Sequence, residues 1–427
     1  MEAKAVEKIK RYDFSKKPVR PSKFCMALAR SFFVRPRLRG RKLTVDKIKM
    51  EGVKPPYLLL PTHSSPLDYP VIDRAIAPHA MNCALPLDAV RGAGGLIRRL
   101  GGIPRRRFAQ NPYFLPHLIH CAEEYKTVVC LHPEPNFSLD GTTAALSPSL
   151  GELCYGLKLP VVALRIYGSF VAAPQWNRAE QKLPLHAELE CIATKDELPS
   201  LTKEELFSRV THAMQRDDYA WQRERGIELK NPRRAQGLHN ILYRCPRCNS
   251  EHKMYSERAR LWCASCGKAW QMNTLSELTA EEGKTEFSFI PDWVKWERAL
   301  LCEALQRGDY RFEEEVTVRT LPAKKFFRQG KGKLVQTKEG TRLICTAYGK
   351  AQELFFPAGE LEGVHVEFGD PLRKDGRTSF GDCVDISTQS DSYRLTLHGR
   401  NRAAKLALAT EELYRLAREG KLSEGRK

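Results

Sequence analysis

Two short cysteine pairs constrain this chain more tightly than any other feature in it. Cys245-Pro246-Arg247-Cys248 and Cys263-Ala264-Ser265-Cys266 stand 14 residues apart. Each C-x-x-C turn presents two thiolates on one side of a tight loop, and two such turns at this spacing bring four sulfurs to tetrahedral corners. The spacing predicts a structural zinc ribbon over residues 240–273, with Cys245, Cys248, Cys263 and Cys266 as ligands. Four protein ligands leave no open position for a reacting water; a redox or iron centre is the alternative use of the same residues. The chain has 13 cysteines, and the other nine are scattered singly. Cys83, Cys121, Cys130, Cys154 and Cys191 read as small buried residues in a reducing compartment, since no compact spacing joins them into a disulfide framework.

The ribbon is a small part of 427 residues, a length that predicts two or three domains. Upstream, the apolar runs Tyr57–Leu60, Thr127–Leu131 and Leu159–Leu164 have the composition of strands. Between them, Leu67–Ile76 and Pro112–Tyr125 carry helical spacing, with Ser65 as N-cap and Pro66 at the first helical position. That alternation predicts an α/β domain over residues 43–235. After the ribbon comes a helical linker, 274–309, and then a β-rich domain, 310–427. Its strand candidates are Thr317–Thr320, Arg342–Cys345, Val364–Glu367 and Tyr393–Thr396, followed by a terminal amphipathic helix over Arg402–Glu419. Strands closed by one helix suggest a small barrel or sandwich resembling a pleckstrin-homology module.

Seventy Lys and Arg against 51 Asp and Glu give a formal charge of +19, which draws a chain toward anionic surfaces such as lipid headgroups or nucleic acid. No apolar run reaches the 18 to 20 residues of a spanning helix; Phe24–Val34 is too short and is interrupted by Arg30. This run lies between Lys16, Lys17, Arg20 and Lys23 on one side and Arg35, Arg37, Arg39, Arg41 and Lys42 on the other. Residues 1–42 therefore read as a basic segment whose apolar patch either lies in a membrane interface or docks on the core. The basic run stands where a signal peptide would place its small-residue cleavage site.

The chemistry concentrates in Pro61-Thr62-His63-Ser64-Ser65-Pro66-Leu67-Asp68, between a strand and a helix. A histidine at a strand exit is exposed at the sheet edge. An aspartate in the first turn of the next helix can reach back to hold its ring nitrogen and stabilise the imidazolium. Such a pair makes a general base for activating a hydroxyl. Ser65-Pro66-Leu67-Asp68 is also a capping-box pattern, in which Asp68 only caps the helix.

Three further blocks follow in order: Leu100-Gly101-Gly102-Ile103-Pro104-Arg105-Arg106-Arg107, then Leu131-His132-Pro133-Glu134-Pro135-Asn136-Phe137, then Leu159–Leu164. With the H-x-x-x-x-D stretch, they give the chain a resemblance to the glycerolipid acyltransferase family of the 1-acylglycerol-3-phosphate type. Pro104 replaces a usual aromatic residue, Pro135 a glycine and Phe137 an arginine or similar polar residue. The resemblance implies that His63 and Asp68 are catalytic. It implies that Arg107, with Gly102, binds the acceptor's phosphate, and that Pro133 and Glu134 contact the acceptor or anchor their loop. Arg98, Arg99, Arg105 and Arg106 would supply a general positive field.

The implied reaction moves a fatty acyl group from acyl-CoA or acyl-carrier protein to lysophosphatidic acid or a related lysophospholipid. It would take place on an anionic membrane surface, with the protein cytoplasmic and peripheral. A non-enzymatic zinc-ribbon nucleic-acid binder is the competing reading. It lacks an aromatic-plus-basic motif or recognition helix, so no nucleic acid is expected. The altered Pro133-Glu134-Pro135 loop leaves a catalytically degenerate acyltransferase fold as a third.

Overall fold

The structure, a computed structural model, describes residues 11–90, 93–134, 136–374 and 377–422, the side chains of residues 371–380 excepted. Pro135 and the extreme ends of the first and last segments lie outside the described residues. Leu58, Leu59 and Leu60 are all fully buried, as a parallel strand covered on both faces requires. They form β2 (Leu58–Pro61) in a seven-stranded sheet with β1 (Leu43–Ile48), β3 (Met81–Pro86), β4 (Gly102–Arg105), β5 (Val128–Cys130), β6 (Val161–Tyr167) and β7 (Leu185–Ala193). The order is β1-β7-β6-β2-β5-β3-β4, and only the β6–β7 pair is antiparallel.

Alternation along each strand divides the sheet's contacts between two layers. Leu58, Leu60, Val129, Val161 and Ala163 pack against Leu150 and Cys154 of the Ser149–Leu157 helix and Leu206 and Val210 of the Lys203–Ala213 helix. Leu59, Val128, Cys130 and Val162 face the other way, against Val71, Ile72 and Ala75 of the Asp68–Ala75 helix. The α/β expectation is met. The expected cap at Ser65 is corrected: the helix starts at Asp68, with Leu67 in the cap position, and Ser65 Oγ instead accepts the Leu67 N–H at 3.1 Å.

The cysteine region forms a four-stranded antiparallel sheet of β8 (Met254–Glu257), β9 (Arg260–Cys263), β10 (Ala269–Met272) and β11 (Leu278–Ala280). After the Ile290–Arg307 helix comes a second seven-stranded sheet, antiparallel throughout. It contains β12 (Arg311–Thr320), β13 (Phe327–Thr337), β14 (Gly340–Ala347), β15 (Lys350–Pro357), β16 (His365–Lys374), β17 (Arg377–Ser387) and β18 (Ser392–Leu397), and the Ala403–Arg418 helix closes it. Its order, β15-β14-β13-β12-β18-β17-β16, joins a four-strand meander to a three-strand one.

One buried apolar cluster runs through all three regions, from Phe170 and Trp176 through Tyr243, Trp270 and Trp293 to Phe312, Leu395 and Leu416. The cysteine sheet is thus wedged into a common core.

At the other end of the chain, the Lys23–Ala29 helix continues through a wider turn, Arg30–Val34, into Arg35–Leu38. Cys25 and Val34 pack inward and Arg30 pairs with Asp73 at 3.0 Å, whereas Phe24 and Phe32 are 72% and 79% exposed. Among the described residues no helix is long and apolar enough to cross a membrane.

Candidate active site and cysteine cluster

Parallel strands β2 and β5 are neighbours, and two residues beyond their ends lie His63 and His132. The turn carrying His63 is fixed on both sides. Thr62 donates its N–H to Leu164 O and accepts the Ile166 N–H on Oγ1, while the His63 N–H donates to Glu134 Oε2 at 2.6 Å. The imidazole is held between His132 and Phe137, with ring centroids 4.0 and 4.1 Å away.

Asp68 reaches back from its helix as the sequence predicts. Its Oδ2 accepts the N–H groups of Ser64 at 2.6 Å and Ser65 at 3.0 Å, its Oδ1 accepts from Ser169 Oγ at 2.9 Å, and Oδ2 lies 3.5 Å from His63 Nδ1. One carboxylate therefore ties down the Ser64–Ser65 turn ahead of the helix and also stands against the His63 ring. The 3.5 Å gap exceeds an ordinary N–H···O bond, and a shift of about 0.5 Å would close it. His63 Nδ1 is buried with no hydrogen-bond partner among the described residues, which leaves Asp68 as its nearest anchor.

Burial, helped by the positive charges of Arg107, His365 and Arg216, pushes the His63 pKa well below the usual imidazole value. Burial and the neighbouring His63 bring His132 down to about 3. The resting site thus holds neutral imidazoles, and His63 can accept a proton. Burial also pushes the Asp68 carboxyl up, against the pull of its hydrogen bonds and His132.

His63 opens onto a cleft of about 760 Å³, within the usual range of roughly 300–1,000 Å³ for a small-molecule site. Part of its wall is apolar, formed by Leu85, Phe108, Phe114, Leu131, Leu146 and Leu153. Another part is ionic and is built by Arg298 of the Ile290–Arg307 helix with Glu411, Glu412 and Arg415 of the terminal helix. Nothing in the sequence signalled that the last helix would wall this site.

The remaining residues singled out from the sequence separate by position. Arg107 lines the cleft, and its Nη1 lies 2.7 Å from Asp88 Oδ1 and 3.8 Å from Asp385 Oδ2. Burial alone would raise the Asp88 pKa, but Arg107, with His365 and Arg394, brings it down to about 2. Asp88, His365 and Asp385 converge as cation ligands do, but Arg394 already binds Asp385 twice at 2.7 Å and approaches Asp88 at 3.3 Å. Guanidinium charge fills that cluster.

Pro133 and Glu134 also line the cleft. Both oxygens of Glu134 are engaged, Oε2 by the His63 N–H and Oε1 by the Ala144 N–H at 3.0 Å, with Arg216 Nη2 3.5 Å from Oε2. Arg216 is fully buried and also lies 3.9 Å from Asp218; no sequence signal marked it. Gly102 is not part of the lining: a side chain there would strike Ile97 and Leu85, so its smallness serves packing behind the cleft. At Gly101, φ is +95° and a Cβ would sit 2.2 Å from Met81 O, so the β3–β4 approach requires glycine.

The expected positive field is corrected at Arg106. Arg106 is 4% exposed and donates to the carbonyls of Leu321, Pro322 and Ser390 and to Ser392 Oγ, at 3.0 to 3.3 Å. It pins the loop carrying Arg107 to the second seven-stranded sheet. Arg105 stacks over Phe114, 4.9 Å from its ring centre. Asn136 secures the facing loop, donating to Val364 O at 2.9 Å and lying 3.1 Å from His365 Nδ1.

The four cysteines predicted as ligands do converge. Cys245 and Cys266 sulfurs lie 3.7 Å apart, as do those of Cys248 and Cys263, and all four fall within 4.8 Å of one another. Thiolates about 2.3 Å from a tetrahedral zinc sit about 3.8 Å from each other, whereas a disulfide needs about 2.05 Å. Each knuckle closes alike: the Asn249 N–H donates to Cys245 O and the Gly267 N–H to Cys263 O, both residues having positive φ. The donor set and its geometry fit a structural zinc ion, with no place for a fifth, reacting ligand.

No model of a known protein family matches the chain, and no curated protein does. Among solved structures, it is similar to the 1-acyl-sn-glycerophosphate acyltransferase PlsC from Thermotoga maritima, at 16% identity and a TM-score of 0.36. That match covers 47% of this chain and 83% of PlsC. A second likeness is to SsgB of Streptomyces coelicolor, whose mutations correlate to longitudinal cell division during sporulation. It has 14% identity and a TM-score of 0.14, and covers 26% of this chain and 86% of that one. The chemistry is therefore argued from the site itself.

Proposed function

We propose that the chain is an acyltransferase that moves a fatty acyl group from acyl-CoA or acyl-carrier protein to the hydroxyl of lysophosphatidic acid or a related lysophospholipid. The observation that carries this reading is the placement of the His63 imidazole, 3.5 Å from Asp68 at Nδ1 and on the wall of a partly apolar cleft. An acceptor hydroxyl placed at Nε2 passes its proton to the ring as its oxygen bonds to the thioester carbonyl carbon. The carbon–sulfur bond then breaks, and the thiolate leaves with the proton returned by the imidazolium. Asp68 orients the ring and stabilises its charged form. Arg107, at the cleft wall, is the group offered to the acceptor's phosphate, and Pro133 and Glu134 shape the loop beneath it. The cysteine cluster holds a zinc ion that stabilises the fold. The meander order of the second seven-stranded sheet supports reading it as a pleckstrin-homology-like module.

The depressed basicity of His63 sets the pH dependence. A general base must be unprotonated, and its protonated form gathers only well below the usual imidazole value. Acyl transfer is expected to stay level from about pH 8 down to about pH 6.5 and to fall at more acidic values. A kcat/KM profile with its acid limb centred at or above about 6.5 would contradict this assignment.

We propose that the enzyme sits on the cytoplasmic face of a membrane, peripherally, through the segment that exposes Phe24 and Phe32 among basic side chains. Phe24, Leu28 and Phe32 recur at helical spacing, and no Asp or Glu occurs between Phe14 and Val45. Burying a phenylalanine contributes roughly 1.5–3 kcal/mol. Phe24→Asp with Phe32→Asp is therefore expected to weaken binding to phosphatidylglycerol-containing vesicles at least about tenfold in a sedimentation assay. Unchanged binding would remove this surface from consideration.

A further inference from the structure

One wholly buried cation is tied to both halves of the His63–Asp68 pair. The side chains of Arg216, Glu134 and Asp218 have no exposed surface, and a guanidinium kept from water needs partners for its charge. Arg216 Nη2 lies 3.5 Å from Glu134 Oε2, while Nη1 lies 3.9 Å from Asp218 Oδ1 and donates to Gly141 O at 3.4 Å. Among the described residues no other cation pairs with either carboxylate. These separations are longer than those of a tight fork, so the attraction steers the carboxylates and leaves their backbone bonds in place.

Each carboxylate leads to one turn of the site. Glu134 Oε2 accepts the His63 N–H at 2.6 Å. Asp218 Oδ2 accepts the Phe170 N–H at 3.0 Å, beside Ser169, whose hydroxyl donates to Asp68 Oδ1 at 2.9 Å. Arg216 is itself held from its backbone, where its N–H donates to Thr143 Oγ1 at 2.8 Å and its carbonyl accepts the Thr143 N–H at 3.3 Å. Burial pushes the Glu134 carboxyl up, and the charge of Arg216 is the largest force against it. That charge favours the ionised carboxylate, the stronger acceptor for the His63 N–H.

We propose that Arg216 is a positioning residue for the reaction: through Glu134 it fixes the turn of His63, and through Asp218 the turn that holds Asp68. This rests on the acyl-transfer reading above and adds to it a residue outside the cleft lining. A base displaced by about 1 Å loses up to about 10²-fold in rate, and the loss falls on kcat because the walls that bind substrate are untouched.

The test is hydrogen exchange, read by mass spectrometry on the full chain, in a peptide that covers His63–Ser65 and in a control peptide from β14. Arg216→Met, which keeps most of the stem and removes the charge, is expected to speed exchange around His63 at least about tenfold and to leave β14 unchanged. Arg216→Lys restores the charge and is expected to stay within about threefold of the parent. In palmitoyl transfer from palmitoyl-CoA to lysophosphatidic acid, Arg216→Met is expected to lower kcat at least about tenfold with little change in KM. Added to Glu134→Gln it is expected to cost under about threefold more, because both changes break one tether. Should Arg216→Met fail to fold, Glu134→Gln carries the exchange test at the same peptide. Exchange unchanged around His63, or raised equally in β14, would overturn the proposal while acyl transfer stands. No transfer by the parent would overturn the acyl-transfer reading, and exchange alone would then judge the tether.

Discussion

Replacing His63 by alanine is expected to lower acyl transfer by about 10²- to 10⁴-fold, the range lost with a general base, while the protein remains folded. The physical reason is specific to one atom. Without Nε2 the imidazole that remains is His132, a very weak base that gains a proton only near pH 3 and whose Nδ1 is buried. The backbone of position 63 keeps its bond to Glu134, so the loop retains its main anchor. Radiolabelled palmitoyl transfer and a thermal melt, measured on both proteins, separate chemistry from folding. Activity within tenfold of the parent would remove His63 from the base role. Asp68→Asn should cost less, because the amide keeps the side chain's shape but cannot stabilise the imidazolium charge.

The second large effect concerns the cysteine cluster. Binding of a structural zinc contributes about 10–16 kcal/mol in isolated ribbons, against a net stability of about 5–15 kcal/mol for a whole domain. Chelation is therefore expected to abolish cooperative melting of the region around β8–β11 and to lower the melting temperature of the entire chain. Cys248→Ser is the cleanest single variant. Cys248 is exposed, so the change removes a ligand with little loss of packing, whereas Cys245 and Cys263 are fully buried. One zinc per chain by elemental analysis, with destabilisation on its removal, is the expected result. A metal-free preparation that melts like the untreated protein would eliminate the zinc.

Much of the first sheet was legible because its central strands obey a strong rule. Leu58–Leu60 and Val128–Cys130 are buried on both faces, and continuous apolar sequence is the signature of that environment. The cysteine spacing was equally direct, because ligand geometry dictates it. In the antiparallel sheet, β12, β14, β16 and β18 each contained a recognised run. The strand β13, Phe327–Thr337, did not, because its glycines and lysines lie on a half-exposed surface and give no alternation. At the site, His63 and Asp68 were visible as a local pair whose spacing follows from one helix turn. Arg216, Asp385 and Arg394 were not, since their meaning arises only when distant segments meet. Arg106 misled for the same reason: a run of three arginines reads as surface charge, and only the fold reveals that its middle member is buried beneath four acceptors.

The shared apolar cluster has a practical corollary for dissecting this protein. A fragment ending near Ala235 would retain His63, Asp68 and the first sheet, yet it would open to water the faces of Phe170 and Trp176 that lie against the cysteine sheet and its neighbours. It would also lose every acceptor of the Arg106 side chain, releasing the loop that carries Arg107 from the sheet that pins it. Truncation in this architecture is a different experiment from removing an accessory module. An inactive fragment would report a broken scaffold, so function is better apportioned among the parts by point substitution in the intact chain.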